Sequence, residues 1–306
     1  MLSMARRWEE ALSNEVKDKK AHRSVSQFTT YAACSEQYRL QRIARAPQRP
    51  AAWFVQGTAV HEALEEYERS EREVSEHDLH DIYLTSYRTA ANDMVEKHPE
   101  ESAWLTGGRK RGFDDLTERE DRGWWQVQDY VSWAESESEY WRVAQVELEF
   151  RIVLGGVEVL GYIDQITEWR DGTMNAADLK TGVKLPASPF QLVTYDHALT
   201  EYGYNTGHTG DWIHLGKPAT SRVKEKRVSR EIVDLTESPL FKRENLEQMY
   251  FDLDRGIENQ VFLPNPSDSC VRICGVSQFC RAMGHPGAAE SRSQGLRDLQ
   301  DSPWDN

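Results

Sequence analysis

The stretch VELEFRIVLGGVEVLGYIDQITEWRDGTMNAADLKTG, residues 146–182, decides the fold. In its first segment Val146, Leu148, Phe150, Ile152 and Leu154 alternate with Glu147, Glu149 and Arg151, the period-two pattern of a strand with one buried face. Gly155-Gly156 turns the chain, and a second strand spans Val157 to about Trp169. Asp171-Gly172 turns it again into a third strand, Met174 to Thr181, because Gly-Gly and Asp-Gly dipeptides supply the positive φ that tight hairpins need. The pattern predicts a three-stranded meander. Glu147 and Glu149 read as ordinary polar positions of a half-buried strand.

In the third strand Asp178 and Lys180 lie two apart and leave the same face. Asp164, in the neighbouring strand, can face them across the ladder. Two carboxylates and an ammonium converging on a sheet surface repel and desolvate one another, and a divalent cation relieves that cost while lysine stays charged. Such an ion, Mg²⁺ above all, suits phosphodiester hydrolysis, with Lys180 orienting a water or stabilising developing negative charge. Taken alone, Asp-x-Lys describes a surface ion pair equally well.

Working outward, residues from about Ser24 to Arg45 carry a helical pattern of Phe28, Tyr31, Ala32 and Tyr38, with Cys34 inside it. A second helix is predicted from Thr58, as N-cap, through His61, Leu64, Glu65 and Glu68. His61 and Glu65 then share a face, Glu65 as a supporting group. Val74 to Tyr140 is acidic with aromatic punctuation and reads as a helical insertion, at about 74–141, interrupted by Gly107-Gly108 and Gly112. Trp124, Trp125 and Trp133 read as packing residues there.

After Pro186 and Pro189 a helix presents Gln191 and Tyr195, four apart, on one face and ends near Gly203. A strand from Asp211 to Leu215 and the basic segment to Arg230 complete the sheet. A last helix is predicted over Pro239 to Asn259, and the chain from Pro264 is turn-rich. The division expected is an N-terminal helical segment, 1–60, a core, 61–260, a cysteine segment, 261–285, and a disordered tail, 286–306.

With 39% hydrophobic residues and ten Trp the chain can bury a sizeable core. No run of eighteen apolar residues occurs and Met1 to Lys20 lacks the apolar centre of a secretory signal, so a cytoplasmic protein without a membrane partner is expected. A net charge of −14 argues against a general nucleic-acid binder, whose affinity comes from Lys and Arg releasing counterions. Local basic clusters oppose that sign: Arg39, Arg42, Arg45 and Arg49; Arg109, Lys110 and Arg111; and Lys217, Arg222, Lys224, Lys226, Arg227 and Arg230.

Cys270, Cys274 and Cys280 fall within eleven residues, and Cys34 is the one other cysteine. Thiolates so close repel or oxidise unless a soft metal centre holds them, and a fourth ligand from Cys34 would clasp the two ends of the chain. An iron-sulfur cluster, a zinc ion and unligated buried thiols all remain open on residue type.

The segments Gly57-Thr-Ala-Val-His61, Gly161-Tyr-Ile-Asp164, Asp178-Leu-Lys180-Thr-Gly182 and Gln191-x-x-x-Tyr195 together resemble the RecB-like branch of the PD-(D/E)XK nuclease superfamily over nearly the whole chain. The resemblance implies an α/β fold with a central mixed sheet flanked by helices, a restriction-endonuclease-like core. It implies that His61, Asp164 and Asp178 bind Mg²⁺ or Mn²⁺, that Lys180 is the catalytic lysine, and that Gln191 and Tyr195 complete the site. The cysteine layout, with Ser24-Val-Ser-Gln-Phe-x-x-Tyr31-x-x-Cys34 and the Pro-Asn-Pro-Ser267 lead-in, resembles the iron-sulfur members: the CRISPR-associated Cas-four type, its phage relatives and the AddB type. A [4Fe-4S] cluster on Cys34, Cys270, Cys274 and Cys280 is thereby implied. Ser35 stands where the family often has Pro, and three residues separate Cys270 from Cys274 where it has two.

The expected activity is a metal-dependent exonuclease on DNA, single-stranded or with free ends, in phage or bacterial replication, recombination or repair, working alone or beside a helicase or a CRISPR adaptation complex. Two other readings are a non-catalytic DNA-end-binding scaffold and a hydrolase of another phosphodiester, RNA included. A degenerate scaffold would be expected to have lost some of His61, Asp164, Asp178 and Lys180, and all four are present.

Overall fold

The computed structural model describes residues 22–106, 110–216 and 228–284. Outside them lie the polar N-terminal stretch, Gly107 to Arg109, most of the basic segment before Arg230 and the tail expected to be disordered. The described chain falls into two compact units, one of residues 22–25 and 51–252, the other of residues 26–50 with those from 253 onward.

In chain order the helices are α1 (Val25–Ala33), α2 (Ser35–Tyr38) running into a π-helical turn (Arg39–Ile43), α3 (Ala52–Arg69), α4 (Glu76–Lys97) and α5 (Gly112–Ser136). Strands β1 (Trp141–Leu154), β2 (Val157–Trp169) and β3 (Met174–Lys180) follow, then α6 (Phe190–Glu201), β4 (Thr206–Leu215), β5 (Val228–Asp234), α7 (Arg243–Glu258) and α8 (Asp268–Arg272). The meander is present as expected. β1 begins five residues before Val146, and β4 five before Asp211, because cross-strand pairing extends both beyond their apolar runs.

The five strands lie in sequence order, β1 to β5, with β3 and β4 parallel and the other pairs antiparallel. A parallel pair cannot be joined by a tight turn, so the connection from β3 to β4 is long and carries α6. This crossover sets Gln191 and Tyr195 beside the strand that holds Asp178 and Lys180. Ala177, Leu179, Ile213 and Leu215 on the opposite face pack with Val55, Ala59, Leu64, Tyr67 and Tyr130 of α3 and α5.

Two helix readings need correction. α3 starts at Ala52, and Thr58 lies inside it, exposed and not an N-cap. Burial of Ala52, Val55 and Ala59 against the sheet extends the helix a turn and a half beyond the point where a polar cap signal would start it. Cys34 does not sit within a continuous helix: it is extended (φ −162°, ψ 99°) at the break between α1 and α2. The insertion is helical, and Trp133 packs between Tyr130 and Trp141, whereas Trp125 is exposed. Among the described residues no helix is long and apolar enough to cross a membrane.

Buried polar groups lock the insertion to the sheet. Gln126 of α5 donates to the Leu215 carbonyl at 2.6 Å and accepts from Gln56 of α3 at 2.6 Å, while Arg119 donates to Gln56 at 2.7 Å and pairs with Asp115. At the far end of the sheet the Arg230 guanidinium of β5 lies 4.1 Å from the Trp141 ring centroid, 5.0 Å from Trp169 and 5.2 Å from Trp133, with Asp211 3.2 Å away. Three aromatic faces and a carboxylate compensate a charge taken out of water.

Gly161 faces Phe150 across the β1/β2 ladder, and a Cβ at this position would meet the Phe150 ring at 2.5 Å. Phe150 is fully buried with its ring 5.7 Å, edge to face, from Tyr195. Gly161→Ala is therefore expected to destabilise this unit by about 1–3 kcal/mol through overpacking. Urea unfolding checks this, and Phe150→Leu added to Gly161→Ala recovers part of the loss.

Candidate active site

Asp178 is the centre of the site. Its side chain is 2% exposed, yet both oxygens have partners: Oδ2 pairs with Lys180 Nζ at 2.5 Å, and Oδ1 accepts from Gln191 Nε2 at 2.6 Å. Gln191 bridges further, accepting from Lys180 Nζ at 3.3 Å and donating to the Tyr195 hydroxyl at 2.8 Å. Phe150, and so the bare Gly161 that makes room for it, backs Tyr195. Lys180 also lies 5.2 Å from the Trp212 ring on β4.

Asp164 approaches from β2, where Oδ2 accepts the Leu179 backbone N–H at 2.9 Å. His61 on α3 brings Nδ1 to 3.6 Å from the same oxygen. Gly57, one turn earlier on α3, sits beside Thr181, where an added Cβ would stand in ordinary contact 3.4 Å from the hydroxyl. His61, Asp164, Asp178, Lys180, Gln191 and Tyr195 thus meet in one place, brought there by two strands and two helices.

Burial, and for Asp178 the facing Asp164 charge, raises both carboxyls above the usual range, with Lys180 acting in the opposite direction. Burial lowers His61, keeping its imidazole neutral and a lone pair free for a cation. Two carboxylates with a neutral imidazole form a donor set suited to Mg²⁺ or Mn²⁺. Among the described residues no three His, Cys, Asp or Glu side chains are gathered tightly enough to count as ligands of one ion; Asp178 Oδ2 faces Lys180 as an ion pair but is buried without a hydrogen-bond donor.

Glu147 is the residue the strand pattern misplaced. Its neighbours pair as Val146 with Gln165 and Leu148 with Ile163, so it stands opposite Asp164, and its backbone adopts φ 48°. Burial, then the charges of Asp164 and Glu65, push its carboxyl up to about 7. The signal was present: eight residues back from Gly155 on β1 and eight forward from Gly156 on β2 reach Glu147 and Asp164. Glu65, ion-paired with Arg69, faces the same group. Glu149 stays outside, exposed and bonded to Tyr162 at 2.8 Å.

The cysteines belong to the other unit. Cys34, Cys270, Cys274 and Cys280 line one cavity of about 290 Å³ with Leu40 and Val276. Each sulfur receives backbone N–H donors: Asn265 to Cys34 at 3.4 Å, Ser267 to Cys270 at 3.3 Å, Val276 to Cys274, and Ala282 and Met283 to Cys280. Amides aimed at sulfur favour thiolate over thiol, while burial pushes Cys274 and Cys280 the other way. The lead-in segment is tied to the helix break without any metal. Asn265 donates to the Ala33 carbonyl at 2.9 Å, Tyr31 to the Val261 carbonyl at 2.6 Å, and the Ser35 hydroxyl exchanges bonds with both backbone groups of Leu263.

Two mycobacteriophage proteins resemble the chain. The Gene 69 protein of Mycobacterium phage D29 is 32% identical, over 84% of this chain and 96% of its own length. The Gene 69 protein of Mycobacterium phage L5 is 29% identical, over 84% and 95%. Among solved structures, one described as a candidate exonuclease from Eubacterium rectale aligns at TM-score 0.43 and 13% identity, over 87% of this chain and 88% of that one. Residues 22–281 match the PD-(D/E)XK nuclease superfamily, and the chain belongs to it.

Proposed function

We propose that the protein is a Mg²⁺- or Mn²⁺-dependent deoxyribonuclease that degrades DNA from ends, with single strands preferred. The observation that carries this is the convergence of His61, Asp164, Asp178 and Lys180 at one partly buried site braced by Gln191 and Tyr195. His61, Asp164 and Asp178 would hold the cation, which when bound neutralises phosphate charge and acidifies a water. Lys180, fixed by Asp178 and Gln191, presents its ammonium where negative charge develops. Gln191 keeps the Asp178 carboxylate from rotating away, and Tyr195 holds Gln191. Glu147 adds a carboxylate beside Asp164. The phage relatives support a setting in phage DNA processing.

An assay on end-labelled single-stranded and duplex DNA tests this. Cleavage is expected with Mg²⁺ or Mn²⁺ and none with EDTA, and Lys180→Ala is expected to lose at least about a hundredfold in rate with its circular dichroism unchanged. Wild-type activity in that variant, or cleavage in EDTA, would sink the assignment. Protons compete with the cation for the raised Asp164 and Asp178 carboxyls. The rate is therefore expected to fall as pH drops through their range, and more Mg²⁺ moves that limb to lower pH.

We also infer that Cys34, Cys270, Cys274 and Cys280 hold a [4Fe-4S] cluster. The shared cavity and the backbone N–H groups aimed at all four sulfurs support it. Anaerobically purified protein is expected to be brown, with a broad visible absorbance that Cys274→Ala abolishes. Colourless protein carrying zinc would replace the cluster with a structural zinc site.

A further inference from the structure

α3 carries more than His61 on its site-facing stripe. Seven residues make nearly two turns, so Phe54 projects from the same face as His61, about 10 Å away along the axis. Between them Gly57 packs against Thr181, the residue after Lys180. Phe54 therefore lies one helical turn beyond that contact, past the end of the strand that carries Asp178 and Lys180. Its side chain is 51% exposed, although the buried face of the same helix turn is filled by Ala52, Val55 and Gln56. The ring thus offers much of its face to solvent one helical turn beyond the Gly57–Thr181 contact.

The ring is also held in place. Trp53 lies beside it with centroids 5.7 Å apart, and Trp53 in turn receives the buried Arg119 guanidinium at 5.8 Å. Arg119 sits on α5, which opens after the exposed cations Lys110 and Arg111. An exposed aromatic face on the helix stripe that carries His61, with exposed cations preceding a helix packed against it, offers the two contacts that single strands use: stacking for bases, positive charge for the backbone.

We propose that Phe54 is a stacking platform for an unpaired nucleobase flanking the scissile phosphate. This rests on the nuclease reading and deepens it. A base within a duplex has no free face to offer, so Phe54 selects single strands or frayed ends.

The test is a fluorescence titration of a single-stranded oligonucleotide carrying 2-aminopurine, in EDTA so that no cleavage occurs, alongside cleavage assays in Mg²⁺. Wild-type protein is expected to quench the probe. Phe54→Ala is expected to weaken binding at least about fivefold, the loss of one stacking contact, and Phe54→Trp to retain it. An abasic residue at the stacked position should remove the difference between wild type and Phe54→Ala. Equal binding by wild type and Phe54→Ala overturns the platform, and so does absent quenching by wild type. A fall in melting temperature of Phe54→Ala without a change in quenching would mean that another part of this chain covers the ring, and also overturns it. Quenching that depends on Phe54 in a protein that cuts no DNA would leave the platform standing and remove the nuclease reading.

Discussion

A carboxylate removed from water governs this fold. Asp178 sits at the end of a central strand, closed in by β2, β4 and α6, where desolvation and the facing Asp164 both work against its charge. Such a group survives only if its partners are built in. Lys180 supplies the charge and Gln191 the hydrogen bond, and each needs its own support: Trp212 beneath the ammonium, Tyr195 beside the amide. The support reaches back through Phe150 to the missing side chain of Gly161. A parallel strand pair is what makes this possible, because its long crossover delivers α6 to the face on which Asp178 emerges.

Much of that was legible in the sequence because it depends on short-range periodicities. Two-residue spacing put Asp178 and Lys180 on one face, four-residue spacing put Gln191 and Tyr195 on one face, and the tight turns fixed which strands were neighbours. Glu147 was missed although the same turn register locates it, since an alternating pattern assigns a face and says nothing of what crosses the ladder. The start of α3 was misread for a different reason. A cap residue is a local preference of about 1 kcal/mol, and burial of Ala52, Val55 and Ala59 outweighs it. The break at Cys34 is likewise set by residues more than two hundred positions away, which no local pattern registers.

The two sets of reactive groups are built on contrasting principles. Around Asp178 the counter-charges are side chains, a lysine and an amide that themselves belong to the chemistry. Around the cysteines they are peptide N–H groups contributed by turns, dipoles that cannot dissociate or titrate. Glu36, fully buried nearby and bonded twice by Arg39 at 2.8 Å, places an ion pair of that unit next to the π-helical turn, with Arg281 3.8 Å away.

The bonds between Ser35 and Leu263 span 228 residues. Closing a loop of that length is slow and entropically unfavourable, so during synthesis the helix break at Cys34 waits for more than two hundred further residues before it meets its partner. A chain interrupted after α6 already contains His61, Asp164, Asp178, Lys180, Gln191 and Tyr195, but nothing for Ser35, Ala33 or Tyr31 to bind. Completion of the cysteine unit thus requires that synthesis has passed Cys280.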